Sequence, residues 1–88
     1  MYASVDPCAT VIRPEAVDSL PATMARRYNV VPIAFSGGQL KVAVEDPLDF
    51  ELVDKLRFYC GMPIEVVIAA PDRIRAAVLT HYGEEAID

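Results

Sequence analysis

The sequence predicts an α+β domain, a two-layer sandwich with helices packed on a three-stranded sheet in the order α-β-β-α-β-α. Three observations carry this. The glycine pair in "SGGQ" joins two β-type runs into a hairpin. Two segments, "DPLDFELVDKLRFYCG" and "PDRIRAAVLTHYG", open on Asp and Pro, keep helical apolar spacing, and end on Gly. Between them lies the β-branched run "MPIEVVIAA".

Residues 1–13 show no clear period, although "CATVIR" has the composition of a short strand. They form a poorly defined N-terminal segment ahead of a single domain over 14–83, with an acidic, fraying tail over 84–88. "RPEAVDSL" reads as a short helical turn, with Pro14 early and Glu15 and Asp18 near its positive end. "PATMARRY" is the first full helix: Pro21 suits its first position and Asn29 tolerates a left-handed cap. At about 100° per residue, Leu20, Met24, Ala25 and Tyr28 share one face. Arg26 is then expected to point away from that face, and Arg27 to lie on its flank.

"VVPIAF" reads as a strand in which Pro32 cannot donate a ladder hydrogen bond, which makes it an edge strand or starts the pairing later. Gly37 and Gly38 supply the positive φ angles of the turn. "LKVAVE" alternates, with Leu40, Val42 and Val44 on one face and Lys41, Ala43 and Glu45 on the other. In the next helix Asp46 is expected as N-cap, Pro47 at the first position and Asp49 reaching back to the cap, with Gly61 as the stop. Its expected inner stripe is Leu48, Leu52, Val53, Leu56, Tyr59 and Cys60, leaving Asp54, Lys55 and Arg57 in solvent. The third strand sets Ile64, Val66 and Ile68 against Glu65, Val67 and Ala69. Whether it pairs with the first strand or the second is left open by the pattern. The last helix turns Ile74, Ala77, Val78 and Tyr82 inward and stops at Gly83.

With 88 residues, 53% of them hydrophobic and 24% charged, the chain has the make-up of one folded domain. Its net charge of −5, from 13 acidic and 8 basic residues, argues against nucleic acid and anionic membrane surfaces as partners. No apolar run reaches the roughly 20 residues of a membrane span, and the N-terminus lacks a secretory pattern, so the expected compartment is the cytoplasm. Cys60 reads as a small core residue and Cys8 as a semi-exposed thiol.

Candidate chemistry is sparse. The carboxylates of "EDPLDFE" (Glu45, Asp46, Asp49, Glu51) fit helix capping better than a metal site, because no histidine accompanies them. A phosphate loop would need a lysine followed by Ser or Thr and a helix after the glycines, and here a strand follows. His81 stands alone near a helix end. No catalytic set, metal or cofactor is expected. Arg26 and Arg27 are the candidate contact residues: cations near a helix C-terminus, suited to bidentate contact with carboxylate or phosphate.

Taken in order, "LPATMARRYNVVP", the glycine hairpin, "VAVEDPLD", "LRFYCG" and "THYG" resemble the N-terminal domain of the type II secretion and type IV pilus assembly ATPases, the general secretory pathway protein E group. The resemblance runs from about Arg13 to Gly83. It rests on Leu20, Pro21, Tyr28, Pro32, Gly37, Gly38, Asp46, Pro47, Asp49, Gly61, Tyr82 and Gly83. It implies a non-enzymatic docking or regulatory module whose parent carries the ATPase; this chain has no Walker A sequence. The implied partner is the cytoplasmic part of an inner-membrane platform protein, which would recruit the domain to that membrane, or a neighbouring domain of the parent. The same domain type also occurs on glycosyltransferases and signalling proteins. One branch of the family binds cyclic di-GMP through "RLG" motifs in a preceding segment. No "RLG" occurs here, so that ligand is not expected for this chain, and cyclic-dinucleotide sensing stands as the alternative function.

Overall fold

A computed structural model describes residues 3–83. The expected acidic tail, 84–88, lies outside the described residues. The elements are α1 (Pro14–Asp18), α2 (Ala22–Tyr28), β1 (Val31–Ser36), β2 (Gln39–Val44), α3 (Phe50–Cys60), β3 (Ile64–Ile68) and α4 (Pro71–Tyr82). The α+β arrangement is the expected one. The helical turn "RPEAVDSL" has become the five-residue α1, so the order reads α-α-β-β-α-β-α.

The sheet order is β1-β2-β3. β1 and β2 form the antiparallel hairpin, closed between Ser36 and Gln39 by Gly37 at φ 59° and Gly38 at φ 80°. Two adjacent positive φ values are what a two-residue hairpin turn needs, and glycine adopts them without a Cβ clash. β3 pairs with β2 in parallel, Leu40 opposite Ile64 through Val44 opposite Ile68. That settles the pairing left open by the pattern and makes β2-α3-β3 a crossover unit.

β2 is the centre of the core. Leu40, Val42 and Val44 on one face and Ala43 on the other are all buried. Burying each of the larger side chains stabilises the fold by roughly 1.5–3 kcal/mol. Pro32 lies in β1, an edge strand, where its missing N–H costs little. Beyond Pro32 the register skips a residue, and the Ile33 carbonyl accepts from the Arg13 N–H at 2.9 Å on the outer edge. The opposite edge is also covered. Val5 N–H donates to the Ile68 carbonyl and Ile68 N–H to the Ala3 carbonyl, at 2.9 and 2.8 Å. The chain before α1 therefore straps both sheet edges, which protects groups that would otherwise recruit another strand. The strand-like piece is Ala3–Val5; "CATVIR", expected as a short strand, passes through a turn instead.

Two helix starts differ from expectation. Pro21, expected at the first helical position, is the N-cap of α2 with extended ψ 147°. Asp46 and Pro47, expected to begin α3, form a separate turn: the Asp46 carboxylate accepts from Leu48 N–H at 3.0 Å. Asp49 then caps α3 by accepting from Leu52 N–H at 3.2 Å. With two capping aspartates in series, the first satisfies its own turn and the helix starts at the second. Leu48 consequently leaves the helical face and is exposed rather than inward. Tyr59, also expected inside, lies within about 20° of Leu52 on the helix but is exposed in the last turn of α3, where it borders a hollow against Thr23, Met24 and Arg27 of α2. Leu52 and Leu56 are buried, and Val53 and Cys60 half-buried, as the stripe requires. The Cys60 thiol donates to the Ser19 carbonyl at 3.7 Å and is pushed up in pKa by burial, while Cys8 is exposed.

Two polar ties hold α2 against α4. The Tyr82 hydroxyl lies 2.9 Å from the Leu20 carbonyl and 3.1 Å from that of Val17, anchoring the end of α4 at the start of α2. At the other end Asn29, in the left-handed region at φ 54°, donates from Nδ2 to the Pro71 carbonyl at 3.1 Å. Burial, with smaller contributions from Cys60 and Asp18, raises the Tyr82 phenol far above its usual range.

Tyr82→Phe is expected to cost about 0.5–1.5 kcal/mol in urea unfolding at neutral pH. An unfolded phenol titrates near about pH 10 and the folded one higher. The stability from Tyr82 is thus complete below about pH 10 and falls as pH rises toward the folded value. The variant should lose less stability than the parent between about pH 9 and 11; equal losses would show that Tyr82 is not the group responsible. Asn29→Ala should cost about 1–2 kcal/mol for the left-handed backbone alone. Asn29→Gly relieves that strain and should lose only the hydrogen bond to Pro71, so the two unfolding curves should separate.

Candidate functional site

The side-by-side placement of α2 and α4 brings three arginines to one cleft. Arg26 and Arg27 come from the last turn of α2, which carries no acidic residue. Arg75 comes from α4. Together with Asn29, Val78 and Leu79 they line a cleft of about 400 Å³. The exposure expected of the two α2 arginines is reversed: Arg26 is half-buried and Arg27 exposed. The helical wheel of α2 allowed for one buried side, but α4 covers a second one and encloses Arg26. Arg26 Nη1 is buried and, among the described residues, has no hydrogen-bond partner.

Arg75 was missed by sequence reasoning, although the signal was present in "RIR". Ile74 faces the core, so the residues on either side of it project sideways from α4, about 100° away in opposite directions. Arg73 goes towards the N-terminal strap, where the Cys8 side chain and the Asp6 charge raise its pKa. Arg75 goes towards α2. Among the described residues, ion pairs join only Arg13 to Glu15 at 3.6 Å and Arg57 to Asp54 at 2.9 Å. The three cleft arginines are therefore left to whatever the cleft contacts.

The positive surface continues past α2. Arg27 lies 5.8 Å from the Tyr28 ring centre and Lys55 of α3 lies 5.5 Å from it. Tyr28 thus contacts two cations through its ring, an arrangement worth roughly 0.5–1 kcal/mol per pair at exposed sites. Tyr59 borders the adjoining hollow of about 230 Å³ with Thr23, Met24 and Arg27.

A second surface lies on the outer side of α3. Phe58 is 87% exposed, and its direction explains why: two residues past the buried Leu56, it points about 160° away from the core. Phe50 is 63% exposed and overhangs a cleft of about 550 Å³ floored by Ile64 and Val66. Leu48 and Tyr59 are 62% and 57% exposed at the two ends of the helix. The two phenylalanines on the outer side of α3 are its most exposed large apolar side chains. The Asp54–Arg57 pair sits between them and, being exposed, contributes about 0–1 kcal/mol. Apolar spacing alone gives none of these residues a contact role and places Leu48 and Tyr59 in the core.

The other candidates resolve into structure. Asp46 and Asp49 are used on backbone amides. Among the described residues, no three His, Cys, Asp or Glu side chains form a group able to hold a metal ion. His81 is exposed in the last turn of α4. Tyr28, Pro32, Gly37, Gly38, Gly61, Tyr82 and Gly83 shape strands, turns and helix ends. Gly61, at φ 68°, stops α3 with its N–H on the Arg57 carbonyl at 2.9 Å. No described helix is long and apolar enough to cross a membrane.

A family model described as the MshEN domain matches residues 1–88. The type IV pilus assembly ATPase PilB of Myxococcus xanthus is 35% identical over 74 residues, covering 84% of this chain and 13% of PilB. PilB of Acinetobacter baylyi is 26% identical over 68 residues, covering 77% of this chain and 12% of its own length. The chain therefore spans about an eighth of these relatives. Among solved structures, MshE with cdg (cyclic di-GMP) superposes with a TM-score of 0.83 at 27% identity, covering 92% of this chain and 59% of that one. The N-terminal domain of XpsE shares the fold, with a TM-score of 0.75 at 20% identity over 88% of this chain and 55% of that one.

Proposed function

The chain belongs to the MshEN domain family, and on that premise we propose that it is a non-enzymatic docking module of a type II secretion or type IV pilus-type assembly ATPase. Its partner in this reading is the cytoplasmic part of an inner-membrane platform protein, which would bring a cytoplasmic parent to that membrane. The single observation that carries the reading is Phe58, an aromatic side chain 87% exposed on the outer face of α3, in its last turn. Nothing within the fold requires a phenylalanine there, whereas aromatic anchors surrounded by polar groups are typical of interface centres. Phe50 is a second exposed aromatic on the outer side of the same helix, and Arg27 and Lys55 add positive charge beside Tyr28.

Capture of the platform protein's cytoplasmic part by the immobilised chain tests this reading. Phe58→Asp should leave the unfolding midpoint nearly unchanged, since the side chain is exposed, and weaken capture by about tenfold or more. Undiminished capture by Phe58→Asp would remove α3 from the interface. Arg27→Glu with Lys55→Glu tests the charge beside Tyr28 in the same way, and Arg26→Glu with Arg27→Glu tests the arginines of α2.

A second reading has one specific support: the MshE relative, at 27% identity and TM-score 0.83, is bound to cyclic di-GMP. The chain covers only 59% of that protein and contains no "RLG". Isothermal titration of the 88-residue chain with cyclic di-GMP separates the readings. No heat of binding at about 100 μM ligand is expected; saturable binding near about 1 μM would make the domain a sensor.

A further inference from the structure

We propose that the cleft between α2 and α4 is a docking site for an acidic segment of a partner protein, one that presents a carboxylate beside an aliphatic side chain. The proposal rests on the docking reading above but concerns a different surface from α3.

Three features of the cleft select this ligand chemistry. Arg26, Arg27 and Arg75 converge on about 400 Å³ with no carboxylate within ion-pair distance among the described residues. In a chain of net charge −5, three guanidiniums grouped in this way form a local reversal of sign. The second feature is Arg26 Nη1, buried without a hydrogen-bond partner among the described residues. A buried charged donor left unmatched is unfavourable, so an incoming acceptor gains from satisfying it. Guanidinium and carboxylate fit each other in bidentate geometry, which suits a side-chain acid reaching this depth.

The third feature is the apolar part of the lining. Val78 is buried and Leu79 is 46% exposed, so an occupant also covers aliphatic surface. A bare phosphate would leave that surface wet. A nucleic acid or an anionic bilayer would place many further charges against an acidic domain and be repelled. A peptide with Glu or Asp next to Leu, Ile or Val satisfies both the guanidiniums and the apolar floor. Asn29, held by the Pro71 carbonyl at one end of the cleft, keeps α2 and α4 in the spacing that forms it.

The test is a side-chain NMR titration of the full 88-residue chain, following the Arg Nε–Hε signals and the methyls of Val78 and Leu79. The probe is the blocked tetrapeptide acetyl-Leu-Glu-Leu-Glu-amide, compared with its Gln-for-Glu analogue, its Ser-for-Leu analogue and inorganic pyrophosphate. The expected result is a saturable shift confined to Arg26, Arg27, Arg75, Val78 and Leu79, with each altered peptide binding about tenfold more weakly. Arg75→Gln, at an exposed position, should reduce the affinity by a similar factor without changing the fold. Tighter binding of pyrophosphate than of the acidic peptide would make the cleft a phosphate site and overturn the proposal. Shifts spread over the whole surface, or none in the cleft, would overturn it as well. Capture of the platform protein by the Phe58 variant is independent of these outcomes: loss there with a silent cleft retains docking and rejects the acidic segment.

Discussion

Everything in this domain is arranged around the need to pair β2 on both edges and cover it on both faces. Its hydrogen-bonding groups are taken by β1 on one side and β3 on the other. Its side chains Leu40, Val42, Ala43 and Val44 are all out of solvent. A hairpin supplies the first neighbour at the cost of two glycines. The second is parallel, so the chain must travel the length of the sheet between β2 and β3, and α3 is the element that makes that return. The sheet then has two open edges, and the N-terminal strap meets both, through Ala3–Val5 at Ile68 and Arg13 at Ile33.

The surfaces available for function follow from this arrangement. A crossover helix contributes one side to the core and leaves the other in solvent, and on α3 that outer side carries Phe58 and Phe50. The α2–α4 pair works differently. These helices are tied by Tyr82 at one end and Asn29 at the other, and their alignment encloses Arg26 while directing Arg75 into the same cleft. One surface is apolar and convex, the other cationic and recessed. They meet near Tyr28, whose ring contacts Arg27 from α2 and Lys55 from α3. A partner covering both would combine aromatic anchoring with charge complementarity, which sets orientation and association rate more than raw affinity.

Local chemistry made most of the elements legible. Gly37–Gly38, Asn29 and Gly61 stand where the backbone takes positive φ, and each is a residue type that tolerates it. Ile74, Ala77 and Val78 on α4, and Leu52 and Leu56 on α3, are buried as their spacing requires. The misplaced residues have physical reasons. Asp46 could cap either a helix or a turn, and a second cap at Asp49 decided for the turn, carrying Leu48 into solvent. Arg26 was placed on an open side because a helical wheel contains no information about a second helix.

By itself the sequence determined the hairpin, the helix C-termini and most of the apolar faces, because each depends on residues within a turn or two of one another. The ordered run of these local motifs carried the resemblance to secretion and pilus ATPase domains. Only the tertiary structure decided that β3 pairs with β2, that the N-terminal strap meets both sheet edges, and that Arg75 joins Arg26 and Arg27 in one cleft. These depend on contacts between segments tens of residues apart. Side chains of similar character could have met in other combinations, and simultaneous packing around β2 selected the one that exists.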